Sequence, residues 1–136
     1  MLGSSKLICF VATQDPDAAK AFYRGVLGLR LVEDGPFALV FDANGTMLRV
    51  QKVQEHTPAK HTSLGWQVAD IRTAIAALAA SGVRVQRYDR LQQDEAGVWH
   101  APSGALVAWF QDPDGNTLSL AQWPPTAHSP GLRRES

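Results

Sequence analysis

The sequence predicts an α+β fold made of two tandem βαβββ modules, which form a cupped, partly open mixed β-sheet with the helices outside. Three observations support this class: a length typical of one domain, apolar segments separated by turns, and an internal repeat. The chain has 136 residues, 45% of them apolar, which is enough for one core. DANGTMLRV (42–50) aligns without a gap on DPDGNTLSL (112–120), and such repetition indicates a repeated architecture.

The first module is predicted to span residues 5–54 in the order β-α-β-β-β. Asp15 is a good N-cap and Pro16 a good first helical residue, so a helix is expected from here to Gly28. Asn44-Gly45 is a strong hairpin signal. The predicted strands are KLICFVAT (6–13), LRLVEDG (29–35), FALVFD (37–42) and TMLRVQKV (46–53).

The second module is predicted to span residues 61–123 and to repeat this order, with one further short strand, after a polar linker, EHTPAK (55–60). Asp70 caps a helix that Gly82 closes. The predicted strands are TSLGWQVAD (62–70), VRVQRYD (83–89), EAGVWHA (95–101), ALVAWFQD (105–112) and TLSLAQW (117–123). Both modules belong to a single domain, 5–123, and residues 124–136 are expected to form a flexible tail.

Charge and composition exclude several classes of function. Lys plus Arg and Asp plus Glu both number 13, so the formal net charge is zero, and no nucleic-acid partner is expected. The N-terminus lacks the features of a signal peptide, and no apolar stretch is long enough for a membrane span. Cys9 is the single cysteine, which suits a reducing compartment. We therefore expect a soluble, cytoplasmic domain in which a buried Cys9 is inert.

Side chains alternate along a strand, so one set packs on the helices and the other faces the predicted cup. Aromatic and thioether groups would line this cup, with a few polar contacts. The strand that holds Trp99 and His100 is poorly defined, and which of the two faces the cup stays open. The candidate ligand-binding residues are Phe10, Phe37, Phe41, Met47, Arg49, Ser63, Gln67, Trp99, Trp109 and Ser119.

Arg49 has two interpretations of equal weight. In one, it is a strand arginine whose guanidinium reaches water or pairs with a nearby acid. In the other, it is a cation in the cup that orients a carboxylate or another anionic group of a ligand. The lining residues likewise either fill a core between the sheets or contact a flat, apolar ligand.

Two segments resemble the vicinal oxygen chelate superfamily, the glyoxalase, bleomycin-resistance and extradiol-dioxygenase group. They are D-x-x-x-A-x-x-F-Y-R-G-V-L-G-L (15–29) and VAWFQDPDGNTLSL (107–120). The resemblance covers roughly residues 5–123 and is specific for the fold, not for a reaction. It also implies a homodimer, because many members of the superfamily pair in this way.

The resemblance implies metal ligands at four positions, which here hold Ile8, Arg49, Ser63 and Ser119. None of these is a plausible ligand for a divalent cation, so no metal, no cofactor and no catalytic residue is assigned. Nor does the turn at 112–115 match a calcium loop, because its glycine stands fourth instead of sixth. A tight turn stabilised by its Asp and Asn side chains is expected there.

Three function hypotheses follow. The first is a metal-independent small-molecule-binding protein, whose apolar or aromatic ligand has an anionic group at Arg49; strongly cationic antibiotics are disfavoured. The second is a lyase, isomerase or dioxygenase of the same superfamily with a shifted metal site built from His56, His61 or His100. The third is a structural or regulatory partner module, in which the cup is filled by its own side chains.

Overall fold

The computed structural model describes residues 1–125, so most of the predicted tail, residues 126–136, lies outside the described residues. Within it the chain divides into two units. The first unit comprises Met1–Leu64 together with Asp112–Thr117, and the second comprises, among the described residues, Gly65–Gln111 and residues 118–125. The module limits given above, and the shared cup, stay predictions.

The first unit contains a four-stranded sheet in the order β1-β4-β3-β2. β1 is parallel to β4, whereas β3 is antiparallel to both β4 and β2. A short 3₁₀ turn, Leu2–Ser4, precedes the sheet. The strands are β1 (Ile8–Thr13), β2 (Arg30–Asp34), β3 (Ala38–Ala43) and β4 (Thr46–Lys52).

The helix of the first unit begins as predicted, because Asp15 accepts a hydrogen bond from the backbone N–H of Ala18 at 3.1 Å. It starts as α1 (Pro16–Lys20) and continues as a π-helical segment, Ala21–Val26. This wider turn places Phe22 and Tyr23, which are adjacent in sequence, in the core. Gly28 follows with φ +74°, which confirms the predicted end of the helix.

The Asn44-Gly45 hairpin is also confirmed. Both residues have positive φ, 51° and 91°, as a type I′ turn requires. The two-residue loop places Ala43 opposite Thr46, and the register continues along both strands to Val40 opposite Arg49. This register decides which side chains share a face with Arg49.

The second sheet, most of which lies in the second unit, repeats the topology of the first, which confirms the predicted fold class. Its strand order is β5-β8-β7-β6, the counterpart of the order in the first sheet. Asp70 caps α2 by accepting hydrogen bonds from the N–H groups of Arg72 and Thr73. The elements are β5 (Thr62–Gln67), α2 (Ile71–Ala80), β6 (Trp99–His100), β7 (Leu106–Gln111) and β8 (Thr117–Gln122).

The strand predicted over VRVQRYD (83–89) is wrong, since this segment is irregular. The side chain of Gln93 occupies backbone groups that a strand would have paired: it accepts from Tyr88 N and donates to the carbonyl of Gln86. The strand predicted over residues 95–101 is reduced to Trp99–His100. No helix within residues 1–125 is both long enough and apolar enough to cross a membrane.

Candidate functional site

The first candidate surface lies on one face of the first sheet, and we call it the Arg49 face. Arg49 is at the centre of β4, opposite Phe10 on one side and Val40 on the other. Ile8 stands opposite Met47 one pleat away, so these residues share a face. The Arg49 face therefore consists of Ile8, Phe10, Val40, Met47 and Arg49.

The apolar part of this face is unusually accessible. Phe10 is 51% exposed, Ile8 45% and Met47 42%, whereas Val40 is buried at 5%. Single exposed apolar residues are common, but a contiguous apolar group is typical of a surface that binds something.

The charges on the Arg49 face are unevenly paired. Asp42, opposite Met47, forms an ion pair with Arg30 at 3.1 Å. The N–H of Gly45, and then the Arg30 guanidinium, hold the pKa of the Asp42 carboxyl below its ordinary value. Arg49 has no side-chain hydrogen bond or ion pair with the described residues of its own unit. Glu33, opposite Val40 on β2, is the other acid of this face.

Two of the predicted lining residues are on the wrong side of the sheet. Phe41 is opposite Leu48, on the face that packs against the helix, and its ring centroid is 5.8 Å from that of Tyr23. Phe41 is fully buried there. Phe37 precedes β3 and accepts a hydrogen bond from Lys52 N, so alternation places it with Lys52 and not with Arg49. It is 78% exposed.

The second candidate surface is a group of three aromatic rings in the second unit, which we call the tryptophan cluster: Tyr88, Trp99 and Trp109. The rings of Trp99 and Trp109 are 6.1 Å apart and tilted by 36°, and Tyr88 meets Trp109 edge to face at 5.7 Å. All three side chains are partly exposed. Such spacings are favourable for aromatic pairs.

The register of the short β6 strand decides between Trp99 and His100. Trp99 stands opposite Val107, two residues from Trp109 and on the same face. His100 points the other way, and its Nε2 lies 3.1 Å from Asp94 Oδ2. Arg72 donates to the same carboxylate oxygen at 2.8 Å. Trp99 is thus the residue of this pair that joins the candidate site.

The polar candidates of the second sheet are divided between β5 and β8. Ser63 and Gln67 are exposed on β5, and Ser119 is partly exposed on β8. A Cβ placed on Gly65 would lie 2.6 Å from Ser119 Oγ. Glycine at this position therefore leaves room for the serine hydroxyl, which lies against the bare backbone of β5.

The acidic turn is built as predicted, and its hydrogen bonds are those of a tight turn. Asp112 Oδ1 accepts from the N–H groups of Asp114 and Asn116, both at 2.9 Å. Gly115 has φ +85°, which an L side chain rarely adopts. Gly115 aligns with Gly45 of the first hairpin, in agreement with the internal repeat.

The turn also anchors a buried network in the first unit. Tyr23 Oη donates to Asp112 Oδ2 at 2.6 Å. Asn116 Nδ2 donates to the same oxygen at 2.8 Å and to the carbonyl of Ala12 at 2.9 Å. With both N–H groups of the amide in use, its oxygen accepts from His56 Nε2 at 2.7 Å. Asp112 and Asn116 are therefore structural residues.

The described residues do not fit the metal that the resemblance implies. The equivalent positions hold an aliphatic side chain, a guanidinium and two hydroxyls, and such a set offers no imidazole, thiolate or carboxylate. No group of three or more His, Cys, Asp or Glu suited to a metal occurs in residues 1–125. His56 and His100, two of the three histidines proposed for a shifted site, bond to Asn116 and Asp94 respectively.

Sequence reasoning missed two residues of these surfaces, Val40 and Tyr88, and also the acid Asp94. The position of Val40 could have been inferred from the Asn44-Gly45 turn, because a two-residue hairpin places Val40 opposite Arg49. Tyr88 was included in a predicted strand and received no role. Asp94 accepts from Arg72, His100 and two backbone N–H groups, and no local pattern marks such a residue.

Comparison with known proteins gives one family and many similar folds. The model of the Glyoxalase/Bleomycin resistance protein/Dioxygenase superfamily matches residues 7–120. Among curated proteins no match is found. A glyoxalase-family protein from Bacillus anthracis has a TM-score of 0.72 at 18% identity, with 89% of this chain and 96% of that one covered.

Two further structures have more specific descriptions. Lactoylglutathione lyase from Agrobacterium tumefaciens has a TM-score of 0.69 at 21% identity, covering 88% of this chain and 93% of that one. TnmS3, an antibiotic-binding protein from Streptomyces sp. CB03234, has a TM-score of 0.68 at 25% identity, covering 89% and 97%. The lyase and the Bacillus protein establish a likeness of fold alone.

Proposed function

We propose that this chain, which belongs to the Glyoxalase/Bleomycin resistance protein/Dioxygenase superfamily, is a metal-independent small-molecule-binding protein. Its ligand is apolar or aromatic and has an anionic group that Arg49 binds. One observation supports this above all: an arginine unpaired within its own unit stands among the half-exposed side chains of Ile8, Phe10 and Met47.

The chemistry of the Arg49 face suits such a ligand. Apolar side chains contribute affinity by leaving water, and the guanidinium contributes orientation through paired N–H donors. The Asp42 carboxylate is a weak competitor of the ligand's anionic group for Arg49, since Arg30 and the N–H of Gly45 already donate to it. Within the second unit, the tryptophan cluster and the hydroxyl of Ser119 are proposed as aromatic and polar ligand contacts of that unit. Ser63 and Gln67 are proposed as further polar contacts.

The similarity to TnmS3 supports binding as the activity, since that protein is described as antibiotic-binding. The similarity to lactoylglutathione lyase raises the enzyme alternative, but no arrangement of residues within 1–125 favours it. A lyase or dioxygenase site of this superfamily requires metal ligands, and the donor set of this chain does not fit them.

Arg49→Gln is expected to weaken the binding of an aromatic anion about tenfold and that of its neutral analogue by no more than about twofold. The substitution removes the charge but keeps a polar side chain of similar length. Isothermal titration with sodium 2-naphthoate and with 2-naphthamide measures both affinities, because the two probes share a ring system and differ in charge.

Arg24→Gln is the matched control for this experiment, since Arg24 is an exposed arginine of the first unit on its helix. It should leave both affinities unchanged. Equal losses for naphthoate and naphthamide in Arg49→Gln would show that Arg49 shapes the surface without binding an anion. Failure of the wild-type protein to bind either probe would contradict the proposed function itself.

A cytoplasmic homodimer is proposed on family membership and on the exposed apolar side chains of Phe10 and Phe37. Light scattering at increasing protein concentration is expected to give twice the chain mass of 14.8 kDa. A monomer mass at the highest concentration would refute the dimer. This outcome would leave the ligand proposal unchanged, because the Arg49 face is defined within one chain.

A further inference from the structure

Tyr88 is held in place by a neighbouring side chain. Gln93 Oε1 accepts from the N–H of Tyr88 at 2.7 Å. Its Nε2 donates to the carbonyls of Gln86 at 2.9 Å and Gly97 at 2.8 Å. Both donors of the amide and its oxygen are therefore used within one irregular segment. The segment presents Tyr88 to Trp109 in a defined position although it is not part of a sheet.

The charge of Asp94, one of the acids of this segment, is balanced by its partners. Asp94 Oδ2 accepts from Arg72 at 2.8 Å and lies 3.1 Å from His100 Nε2. Its Oδ1 accepts from the N–H groups of Ala96 and Val98, each at 3.0 Å. The hydrogen bond from Arg72, together with those from His100 and the backbone, holds the pKa of Asp94 well below its ordinary value. This carboxylate thus stays ionised and fully engaged.

The arginines around Tyr88 are not neutralised in the same way. Arg87 donates to the carbonyl oxygens of Asp94 and Glu95, at 2.9 and 2.6 Å, so its contacts are with uncharged groups. The Arg90 guanidinium carbon lies 5.2 Å from the centroid of the Tyr88 ring, and no ion pair joins Arg90 to an acid among the described residues. Asp89 is its exposed neighbour in sequence. Positive charge therefore borders the aromatic rings.

We propose that, within the second unit, Tyr88 and Arg90 make the tryptophan cluster a binding site for the aromatic ring of an anionic ligand, with Arg90 as a residue that favours an anion there. This inference rests on the proposed function and specifies its ligand class. The rings of Trp99 and Trp109 offer stacking area, and Tyr88 extends it. Arg90, already placed on the Tyr88 ring, presents N–H donors to a carboxylate or sulfonate at the edge of the stacked ring.

The test uses the full chain, the same two probes and two pairs of variants. Arg90→Gln is expected to lower the affinity for 2-naphthoate about three- to fivefold at low salt. The affinity for 2-naphthamide should change by no more than about twofold, as is typical of an exposed charge contact. Tyr88→Leu is expected to lower the affinities for both probes, while Tyr88→Phe keeps both affinities because the aromatic ring is retained. Arg84→Gln is the control, since Arg84 is exposed on the same segment and is not placed against the rings.

Each outcome separates this inference from the proposed function. A selective loss of naphthoate in Arg90→Gln, diminished at high salt, supports the inference. Equal naphthoate affinities in Arg90→Gln and Arg84→Gln would refute it, and a loss in Arg49→Gln alone would then leave the proposed function standing. Near-UV circular dichroism of Arg90→Gln should match the wild type; a changed spectrum together with equal losses of both probes would assign Arg90 a structural role and also refute the inference.

Discussion

Asp112→Ala is expected to lower the free energy of unfolding by about 3–5 kcal/mol, because it removes the shared acceptor of several buried donors. Asp112 is 6% exposed. Its carboxylate accepts from the Tyr23 hydroxyl, from Asn116 Nδ2, and from the N–H groups of Asp114 and Asn116. Alanine would leave all four donors without an acceptor, and a buried unsatisfied group costs about 1–3 kcal/mol. Urea unfolding followed by tryptophan fluorescence measures the change.

Tyr23→Phe is the control for this prediction, because it removes one donor and keeps the ring. It is expected to cost about 1–2 kcal/mol, clearly less than Asp112→Ala. If Asp112→Ala lost less than about 1 kcal/mol, water would have to replace the carboxylate, and the network would not be buried in solution.

The same network predicts a pH dependence on the alkaline side. Burial, and then the neighbouring Asp112 charge, raise the pKa of Tyr23 far above the ordinary 10.0. The folded state therefore holds the hydroxyl proton more tightly than the unfolded chain does. The stabilisation is complete below about pH 10 and is lost as the pH rises above it, by up to about 1.36 kcal/mol per unit. Tyr23→Phe should lack this part of the slope.

Gly97→Ala is expected to cost about 3 kcal/mol, the second large effect. Gly97 has φ +89°, and a Cβ there would lie 2.5 Å from Cγ1 of Val85. A positive φ costs an L residue about 1–2 kcal/mol, and a forced contact in a packed region adds about 1–3 kcal/mol. Thermal unfolding would measure the summed loss of stability. The irregular segment around Tyr88 should also become less ordered, since the carbonyl of Gly97 accepts from Gln93.

Gly82→Ala separates the two contributions to this effect. Gly82 has a nearly equal φ of +83°, but a Cβ there would meet no atom within 4 Å. It should therefore show only the backbone cost, about 1–2 kcal/mol. Similar losses for the two alanine variants would mean that Val85 moves freely and that the segment around Gly97 is loosely packed.

The features that the sequence predicted correctly are local ones. The caps at Asp15 and Asp70 and the turn at Asn44-Gly45 each depend on a few adjacent residues, and each is present in the structure. The internal repeat extended these local signals to two sheets with the same strand order. Helix ends and tight turns need no distant partner, which is why they can be inferred from the chain alone.

The errors had two different causes. Phe41 was assigned to the face of Arg49, although the two-residue turn at Asn44-Gly45 places it opposite Leu48. The strand over VRVQRYD was alternating and β-branched, yet the Gln93 side chain takes the place of a neighbouring strand. For the candidate site, Phe10, Met47 and Arg49 do share one face, whereas the placement of Tyr88 on Trp109 could not be derived from spacing.

The assignment of the Asp112–Thr117 turn to the first unit has a consequence for how the chain could be divided. A fragment that ended in the linker would contain every strand of the first sheet but would lack the acceptor of the Tyr23 hydroxyl and the donor to the Ala12 carbonyl. The first half of the chain is therefore not self-sufficient, although its sequence resembles that of the second half. A circular permutant or split reporter made from this chain must keep the turn at 112–117 together with the first sheet.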